Sequence, residues 1–231
     1  MTVPFPPIHF NLASVAMSAL SVHLPLPQLS ARHHAVWKRP LDLCLTLLGL
    51  LAVWPLLLIV AIAVRMSSPG PVFFVQTRIG LNGKPFGMIK FRSMYADAEA
   101  RREALLAQSD RAGVCFKSRN DPRITPVGRI LRRLSLDELP QIFNVLSGEM
   151  SLVGPRPALP EEVRAYPTNA YGRLSVLPGI TGLWQVSGRA EIGFDEMVEM
   201  DLAYAADGRL TTDLALLLRT FLAVIIGRGA Y

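Results

Sequence analysis

Two adjacent carboxylates, Asp137 and Glu138, are the side chains of this sequence best suited to do chemistry. They lie near the start of the segment from Leu134 to Pro157, LSLDELPQIFNVLSGEMSLVGPRP, which also places Arg156 between two prolines. Each proline fixes its own backbone angle and restricts the residue before it, so Arg156 is held on a stiff, extended segment. A carboxylate pair followed by a rigid arginine is typical of a site that handles phosphate.

Pro140 predicts the local structure around the acidic pair. Because proline lacks an amide hydrogen, it fits best within the first turn of a helix, which makes Asp137 the predicted N-cap and Pro140 the third helical residue. Apolar residues recur at helical spacing through Leu146, which predicts an amphipathic helix with one buried face. A purely structural interpretation stays open, in which Asp137 caps the helix and Glu138 complements its dipole or forms a capping box with Ser135.

Arginine dominates the positive charge upstream of the acidic pair. Five arginines fall within twenty residues of it: Arg119, Arg123, Arg129, Arg132 and Arg133. Guanidinium groups offer planar, paired donors that suit phosphate oxygens, whereas a face that only confers solubility would mix lysine with glutamate. Further upstream, Lys90 and Arg92 would share one face of a strand and reach the same ligand, unless this segment is a solvated edge strand.

Composition indicates a membrane-associated protein. The chain has 231 residues, of which 51% are hydrophobic, with a formal charge of +6 and a mean hydropathy of +0.33. This is too apolar for a typical soluble domain and basic enough to favour anionic lipid headgroups. The two cysteines, Cys44 and Cys115, support neither a disulfide framework nor a cysteine-rich metal site, which favours a reducing, cytoplasmic compartment. All four histidines precede residue 36, so no catalytic histidine is expected.

The apolar run from Leu43 to Val64 is long enough to cross a bilayer. Pro55, next to Trp54, lies at its middle and interrupts the helical hydrogen bonds there. Basic residues flank both ends of the run: Lys38, Arg39 and Arg65. Because positive charge favours the cytoplasmic side, the pattern predicts a re-entrant helix that enters the membrane, bends at Trp54–Pro55 and returns. A straight single span is the alternative.

The fold class predicted for the chain is α+β and mostly helical. Residues 1–36 are interpreted as an irregular N-terminal tail, residues 37–66 as the helix, break and helix of the membrane element, and residues 67–231 as a membrane-associated cytosolic domain. Turn signals around Gly70 and between Gly80 and Gly83 predict a small β-hairpin. The apolar stretch from Asp213 to Ile226 is too short to span a bilayer, so it packs in the core or lies as an amphipathic helix at the interface.

The order of these motifs resembles that of the bacterial sugar transferases, the monotopic polyprenyl-phosphate phosphoglycosyl transferases. The matching segments run from Lys38–Arg39 and the apolar run through PGPV, KFRSM, DPRIT, SLDELPQ and GEMSLVGPRP to PGITGLWQVSGR. Together they cover roughly residues 36–231, and the combination SLDELPQ…GEMSLVGPRP is highly specific. The family has a re-entrant helix broken at a Ser-Pro pair, where this chain has Trp54–Pro55 and therefore keeps only the proline.

The resemblance implies transfer of a hexose-1-phosphate from a UDP-sugar to polyprenyl (undecaprenyl) phosphate with release of UMP, the first membrane step in building an exopolysaccharide, capsule, O-antigen or glycoconjugate. It implies that Asp137 attacks the sugar-linked phosphate to form a covalent phosphosugar-aspartate intermediate, and that Glu138 helps to hold Mg²⁺. Further candidates for phosphate or substrate binding are Lys90, Arg92, Arg132, Arg156, Arg189, Asp201 and Asp213. For Asp213, a helix cap is the structural alternative.

The expected partners follow from the same resemblance: a UDP-sugar donor, a polyprenyl phosphate acceptor and membrane lipid, with a homo-oligomer and downstream glycosyltransferases as further candidates. The expected location is the bacterial inner membrane, with the catalytic domain on the cytoplasmic face. A basic membrane-anchored protein that binds nucleic acid or lipid would explain the charge but not the acidic pair or Arg156, so no nucleic acid partner is expected. A non-catalytic scaffold of the same fold is the other alternative. The sequence does not identify the sugar: the resemblance favours glucose and galactose, with N-acetylated or dideoxy amino sugars as alternatives.

Overall fold

The computed structural model of this protein describes residues 37–98, 100, 121–188 and 192–226. The helices and strands of these residues are α1 Lys38–Ser67, β1 Phe73–Ile79, β2 Pro85–Phe91, α2 Pro126–Arg133, α3 Gln141–Ser147, β3 Ser151–Val153, α4 Pro160–Arg164, β4 Gly179–Thr181, α5 Leu183–Ser187, α6 Phe194–Asp207 and α7 Leu210–Ile226. Short 3₁₀ turns cover Leu81–Gly83, Leu136–Glu138 and Thr168–Ser175. The prediction of a mostly helical α+β fold is confirmed.

Helix α1 contains the apolar run and continues for 30 residues, or about 45 Å at the usual helical rise. Among the described residues it is the one helix long and apolar enough to cross a membrane, by length and composition. The helix assignment passes through Pro55, so the predicted break at Trp54–Pro55 is not seen as two separate helices. A re-entrant path through a membrane stays a prediction.

Both ends of α1 pack against the rest of the chain, while its middle does not. Near the N-terminal end, Asp42 and Thr46 are buried, and near the C-terminal end Val60 and Val64 are buried. Every residue from 47 to 59 is exposed or half-buried, and the large apolar side chains among them include Leu51 and Trp54, which are 72% and 57% exposed. The middle of α1 therefore offers an apolar surface that water solvates poorly.

The predicted hairpin is confirmed. Strands β1 and β2 pair antiparallel, with Phe73 opposite Phe91 and Ile79 opposite Pro85. The connecting turn places Asn82 and Gly83 at positive φ, a conformation that glycine and asparagine tolerate well. Phe91 is buried in a cluster with Val60, Val64 and Leu131, so the hairpin is fixed against α1 and α2.

A second, parallel sheet joins the two glycine- and proline-rich motifs of the sequence. Strand β3 pairs with β4, with Ser151 opposite Gly179 and Val153 opposite Thr181. A Cβ atom on Gly154 would overlap the Leu177 carbonyl oxygen, so only glycine permits this approach of the two backbones. The pairing brings the proline-flanked Arg156 and the segment after Leu177 together. They lie beside the core formed by α4, α6 and the 3₁₀ turn at 168–175.

Helix α7 has one buried and one exposed apolar side. Asp213 and Leu216 are buried, whereas Leu214, Leu218, Phe221 and Leu222 are between 47% and 65% exposed. An exposed apolar face of this kind on a helix too short to span is typical of a helix that lies in the membrane interface. The predicted packing in the core therefore holds for the side of α7 with Leu216, and a position at the membrane interface stays a prediction.

Candidate active site

The acidic pair lies in the 3₁₀ turn Leu136–Glu138, between α2 and α3. The predicted N-cap role of Asp137 is wrong, because α3 begins only at Gln141 and its N-cap is Pro140. Helix α2 ends at Arg133, and Ser135, in the left-handed region with φ 55°, begins the tight turn that contains the pair. The side chain of Ser135 makes no capping hydrogen bond, so the capping box is also absent at this turn.

Glu138 is held by two cations from separate parts of the chain. Its Oε1 atom accepts hydrogen bonds from Lys90 Nζ at 2.7 Å and from Arg156 Nη1 at 3.3 Å. Burial disfavours the ionised form, but the positive charges of Lys90 and Arg156 outweigh it and hold the pKa of Glu138 well below its usual range. Strand β2, the acidic turn and the proline-flanked segment after β3 therefore converge on one carboxylate.

Asp137 differs sharply from its neighbour. It is only 8% exposed, and no described residue donates a hydrogen bond to its carboxylate or forms an ion pair with it. Burial and the negative charge of Glu138 raise the pKa of Asp137, against the opposing positive charges of Lys90 and Arg132. A carboxylate with unused lone pairs beside several cations is well placed to attack an electrophile.

Arg132, in the last turn of α2, is the next cation of the site. Its Nε atom donates a hydrogen bond to Ser93 Oγ at 2.9 Å. Burial lowers the pKa of Arg132, and the negative charge of Asp137 opposes that effect. Of the predicted cations, Lys90 and Arg156 therefore contact Glu138, and Arg132 lies at the end of α2 that leads into the acidic turn.

Three predicted site residues lie elsewhere in the fold. Arg92 follows the end of β2 and donates hydrogen bonds to the carbonyls of Ser68 and Pro69 beyond the C-terminal end of α1. The prediction that Arg92 shares a ligand-facing side with Lys90 is therefore wrong, because the strand ends at Phe91 and Arg92 turns into the interior. Asp201 pairs with Arg173 at 2.7 Å, and Asp213 pairs with Lys38 at 2.7 Å. Neither carboxylate is brought to the acidic turn, and both hold elements together. Arg189 lies outside the described residues.

Two positioning residues were missed by the sequence interpretation. Asn144 is 1% exposed and connects α3 to β2, because its side chain accepts from the Ile89 amide at 3.0 Å and donates to the Gly87 carbonyl at 2.8 Å. Arg39 donates to the carbonyls of Val145 and Leu146 at the C-terminal end of α3. Asn144 had a detectable signal, an amide within the buried stripe of an amphipathic helix, since buried polar groups require partners.

The two carboxylates of the acidic turn fit a Mg²⁺ ion that would also bind substrate phosphates and water. No group of three or more histidine, cysteine or acidic side chains suited to a metal occurs in the described part of the chain. Mg²⁺ is commonly held by one or two carboxylates together with substrate phosphates and water. Asp137 and Glu138 supply such a pair, and the ion would then compete with Lys90 and Arg156 for Glu138.

Comparison with known proteins identifies the family. The sequence profile described as bacterial sugar transferase matches residues 33–227. The chain belongs to the bacterial sugar transferase family. Membership of this family makes it a transferase and confirms the resemblance seen in the motifs.

Three relatives show how the match extends. The chain is 43% identical over 198 residues to the galactosyl transferase CpsE of Streptococcus agalactiae, covering 85% of this chain and 44% of that protein. It is 39% identical over 198 residues to the exopolysaccharide production protein ExoY of Sinorhizobium fredii, covering 84% of this chain and 88% of that protein. It is 41% identical over 207 residues to the undecaprenyl-phosphate galactose phosphotransferase of Salmonella typhimurium, covering 88% of this chain and 43% of that protein. The chain thus spans less than half of the first and third relatives and most of the second.

Proposed function

We propose that this sugar transferase moves a hexose-1-phosphate from a UDP-sugar to polyprenyl phosphate and releases UMP. The observation that carries the proposal is the contrast within the acidic turn. Glu138 is bound by Lys90 and Arg156, whereas Asp137 keeps its carboxylate oxygens unpaired among the described residues. One carboxylate therefore organises the cations, and the other is available as a nucleophile.

The reaction proceeds in two displacements at the same phosphorus atom. In the first, a carboxylate oxygen of Asp137 bonds to the sugar-linked phosphorus of the UDP-sugar, the bond to the bridging oxygen breaks, and UMP leaves with that oxygen and its electron pair. In the second, an oxygen of polyprenyl phosphate attacks the phosphosugar-aspartate, and the carboxylate of Asp137 is released. The product is a polyprenyl diphosphate hexose, and no oxidant or reductant is required.

The cations of the site make the first displacement feasible. A carboxylate that approaches a diphosphate meets negative charge, so positive groups must neutralise the oxygens around the phosphorus. Arg132 and Arg156 bind the donor phosphates, and Lys90 keeps Glu138 ionised and oriented. Mg²⁺, held by Glu138 with Asp137 close by, would add positive charge that stabilises the departing UMP.

The relatives support the substrate classes. The name of the Salmonella protein contains undecaprenyl phosphate and galactose, and that of an Escherichia coli relative, 42% identical over 202 residues, contains UDP-glucose and undecaprenyl phosphate. ExoY is named for exopolysaccharide production. Transfer of these properties gives a polyprenyl phosphate acceptor, a UDP-hexose donor and a role in polysaccharide synthesis. The chain's hexose is glucose or galactose in this proposal.

The docking of α1 supports a re-entrant membrane element with the catalytic domain on the cytoplasmic face of the inner membrane. Both ends of the helix pack against one domain through Asp42 and Val64, whereas the middle is exposed. A straight span would separate its ends by the thickness of the bilayer and leave one of them on the far side. In this proposal a bend at Pro55, which the continuous helix α1 does not show, lets the exposed middle around Trp54 enter the membrane and return.

The decisive experiment measures UMP release by protein reconstituted with undecaprenyl phosphate, Mg²⁺ and a panel of UDP-sugars. Wild type is compared with Asp137→Asn and with the control Asp195→Asn, which removes an exposed carboxylate from the start of α6. We expect release with one or two hexoses, loss of release in Asp137→Asn only, and a hexose-phosphate adduct on the Asp137 peptide when acceptor is omitted. Folded, membrane-bound protein that releases no UMP with any donor would overturn the proposal and favour a scaffold.

A further inference from the structure

Helix α2 presents two different surfaces that the reaction described above does not use. Arg129 and Arg133 are exposed on one side, and Ile130 and Leu134 are 59% and 44% exposed on the other. Residues four apart lie almost above one another on a helix, so Arg129 and Arg133 form a short stripe along α2, and Ile130 forms another with Leu134, the C-cap of α2. The arginine stripe and the apolar stripe are separated by about 100° around the helix axis.

The apolar stripe continues the surface of the membrane helix. On the side of α2 that faces α1, Val127 and Leu131 pack against Val60 and Val64. Ile130 and Leu134 are therefore the next apolar side chains as one moves around α2 away from α1. The packing of the domain does not explain why these two side chains are exposed. A single exposed apolar residue is common and needs no explanation. Here, however, two of them adjoin an apolar helix that is itself exposed.

The arginine stripe leads in the opposite direction, toward the acidic turn. Arg132 lies beyond it around the helix, where its Nε atom donates a hydrogen bond to Ser93 Oγ at 2.9 Å. The helix and the acidic turn are joined by only two residues, Leu134 and Ser135. The side chains of Arg129 and Arg133 have no hydrogen-bond or ion-pair partner within the part of the chain that the structure describes.

We propose that α2 is the binding site of the polyprenyl phosphate acceptor. The first isoprene units lie on Ile130 and Leu134, and the phosphate is bound by Arg129 and Arg133. This inference rests on the proposed function and names the surface that selects its lipid substrate. The order of surfaces around α2 is membrane helix, apolar stripe, arginine stripe and then acidic turn. A lipid monophosphate matches this order, because its chain requires apolar contact and its phosphate must reach Asp137.

The charge complementarity favours the acceptor over bulk anionic lipid. Guanidinium groups bind phosphate through paired donors, and two of them at helical spacing match a single terminal phosphate. Headgroups of bulk anionic lipid would also be attracted to the arginine stripe. Binding of bulk lipid, however, would not explain why this stripe lies next to the acidic turn that contains Asp137. The experiment must therefore separate these two sources of phosphate.

The test measures steady-state KM values of the double variant Arg129→Gln/Arg133→Gln in the full chain. We expect the KM for undecaprenyl phosphate to rise about tenfold or more, as for the loss of two charge-assisted hydrogen bonds, with the KM for the UDP-sugar within about twofold of wild type. The matched control is Lys84→Gln/Arg164→Gln, which removes the same charge from exposed positions on the hairpin turn and α4. A similar rise in the control would overturn the proposal, since a general loss of charge would explain it.

Two further measurements assign the cause. Association of the variant with anionic vesicles that lack polyprenyl phosphate should match the control, and a selective loss there would show that α2 binds bulk headgroups instead. The apolar variant Ile130→Ser/Leu134→Ser should raise the KM for a long polyprenyl phosphate more than for a short, soluble prenyl phosphate. Equal effects on both chains would contradict the role of the apolar stripe.

The proposed function and this inference fail in different ways. UMP formed by wild-type enzyme without acceptor reports only the first displacement, in which α2 has no role in this proposal. If wild type forms no UMP, the proposed function fails. If wild type forms UMP and the arginine variant leaves the acceptor KM unchanged, only the assignment of α2 fails.

Discussion

Lys38 Nζ lies 2.7 Å from Asp213 Oδ2, and this ion pair joins the first turn of the membrane helix α1 to the first turn of α7 across 175 residues of sequence. Tyr204 OH donates to the other carboxylate oxygen of Asp213 at 2.7 Å, and Lys38 also donates to the Val153 carbonyl at 3.2 Å. The charge of Lys38, which the sequence analysis assigned to a cytoplasmic flank of the apolar run, thus forms an ion pair inside the protein. The pair fixes the N-terminal end of α1 relative to the first turn of α7.

Substitution Lys38→Met should destabilise the fold strongly. The side chains of Lys38 and Asp213 are only 14% and 9% exposed, so loss of the lysine leaves a largely buried carboxylate without its cation. Breaking such a pair from one side costs about 3–5 kcal/mol. Thermal unfolding in detergent checks this, with Arg65→Gln, an exposed cation at the other end of α1, as the control. Equal unfolding temperatures for the two variants would contradict the prediction.

Lys90 and Glu138 should show strong energetic coupling. They meet at 2.7 Å with side chains 14% and 22% exposed, so each single change, Lys90→Met or Glu138→Gln, leaves a desolvated charge behind. The double variant should be more stable than the sum of the two losses predicts, with a coupling energy on the order of 1–3 kcal/mol. A double-mutant cycle on the free energy of unfolding measures it.

The pair Arg209 and Asp207 serves as the matched control for that cycle. Arg209 is 77% exposed, and exposed ion pairs couple by about 0–1 kcal/mol. Coupling of Lys90 to Glu138 no larger than in this control would mean that the contact does not organise the site.

Gly128→Ala should disturb the site through the backbone. A Cβ atom at this position would overlap the backbone carbonyl of Ser93, and backbone cannot move aside as a flexible side chain can. Overpacking of this kind costs about 1–3 kcal/mol and would displace Ser93, which accepts the hydrogen bond from Arg132. The measurements are unfolding temperature and UMP release, and Gly193→Ala, whose Cβ would meet open space, is the control. If Gly128→Ala has the unfolding temperature and UMP release of wild type, α2 can move away from Ser93 without loss of stability or activity, and the prediction is wrong.

The raised pKa of Asp201 predicts that the free energy of unfolding depends on pH. Burial raises the pKa of Asp201 to about 6, against the opposing effect of Arg173. Because the pKa in the folded state lies above the ordinary value, this group stabilises the fold most in acid, and that contribution is lost as the pH rises through about 6. The stability of wild type relative to Asp201→Asn should therefore fall by on the order of 1 kcal/mol between pH 5 and pH 7.5.

The check is chemical unfolding of both proteins at the two pH values, with Asp195→Asn in the same helix as a reference for an exposed carboxylate. A wild-type advantage that grows with pH would mean that the ion pair with Arg173 outweighs burial. The prediction would then have the wrong sign.

Local sequence signals predicted much of the architecture. The apolar run, the hairpin between Val72 and Phe91 and the helix after Phe194 follow from periodicity, turn residues and length, which act over a few neighbours. The same holds for the acidic pair and the rigid Arg156, since their chemistry depends on residue type and on adjacent prolines. The position of Asp137 in a 3₁₀ turn was not predictable in this way, because the left-handed Ser135 that begins this turn has no strong local signal.

By itself, the sequence determined the family, the long apolar helix and the acidic pair proposed to carry the chemistry, because these depend on motifs and on composition. Only the tertiary structure decided which charges meet. Lys90 and Arg156 converge on Glu138, whereas Arg92, Asp201 and Asp213 bind other parts of the fold. These pairings join residues far apart in the chain and depend on how the helices and sheets pack. Spacing along the sequence contains no information about that packing.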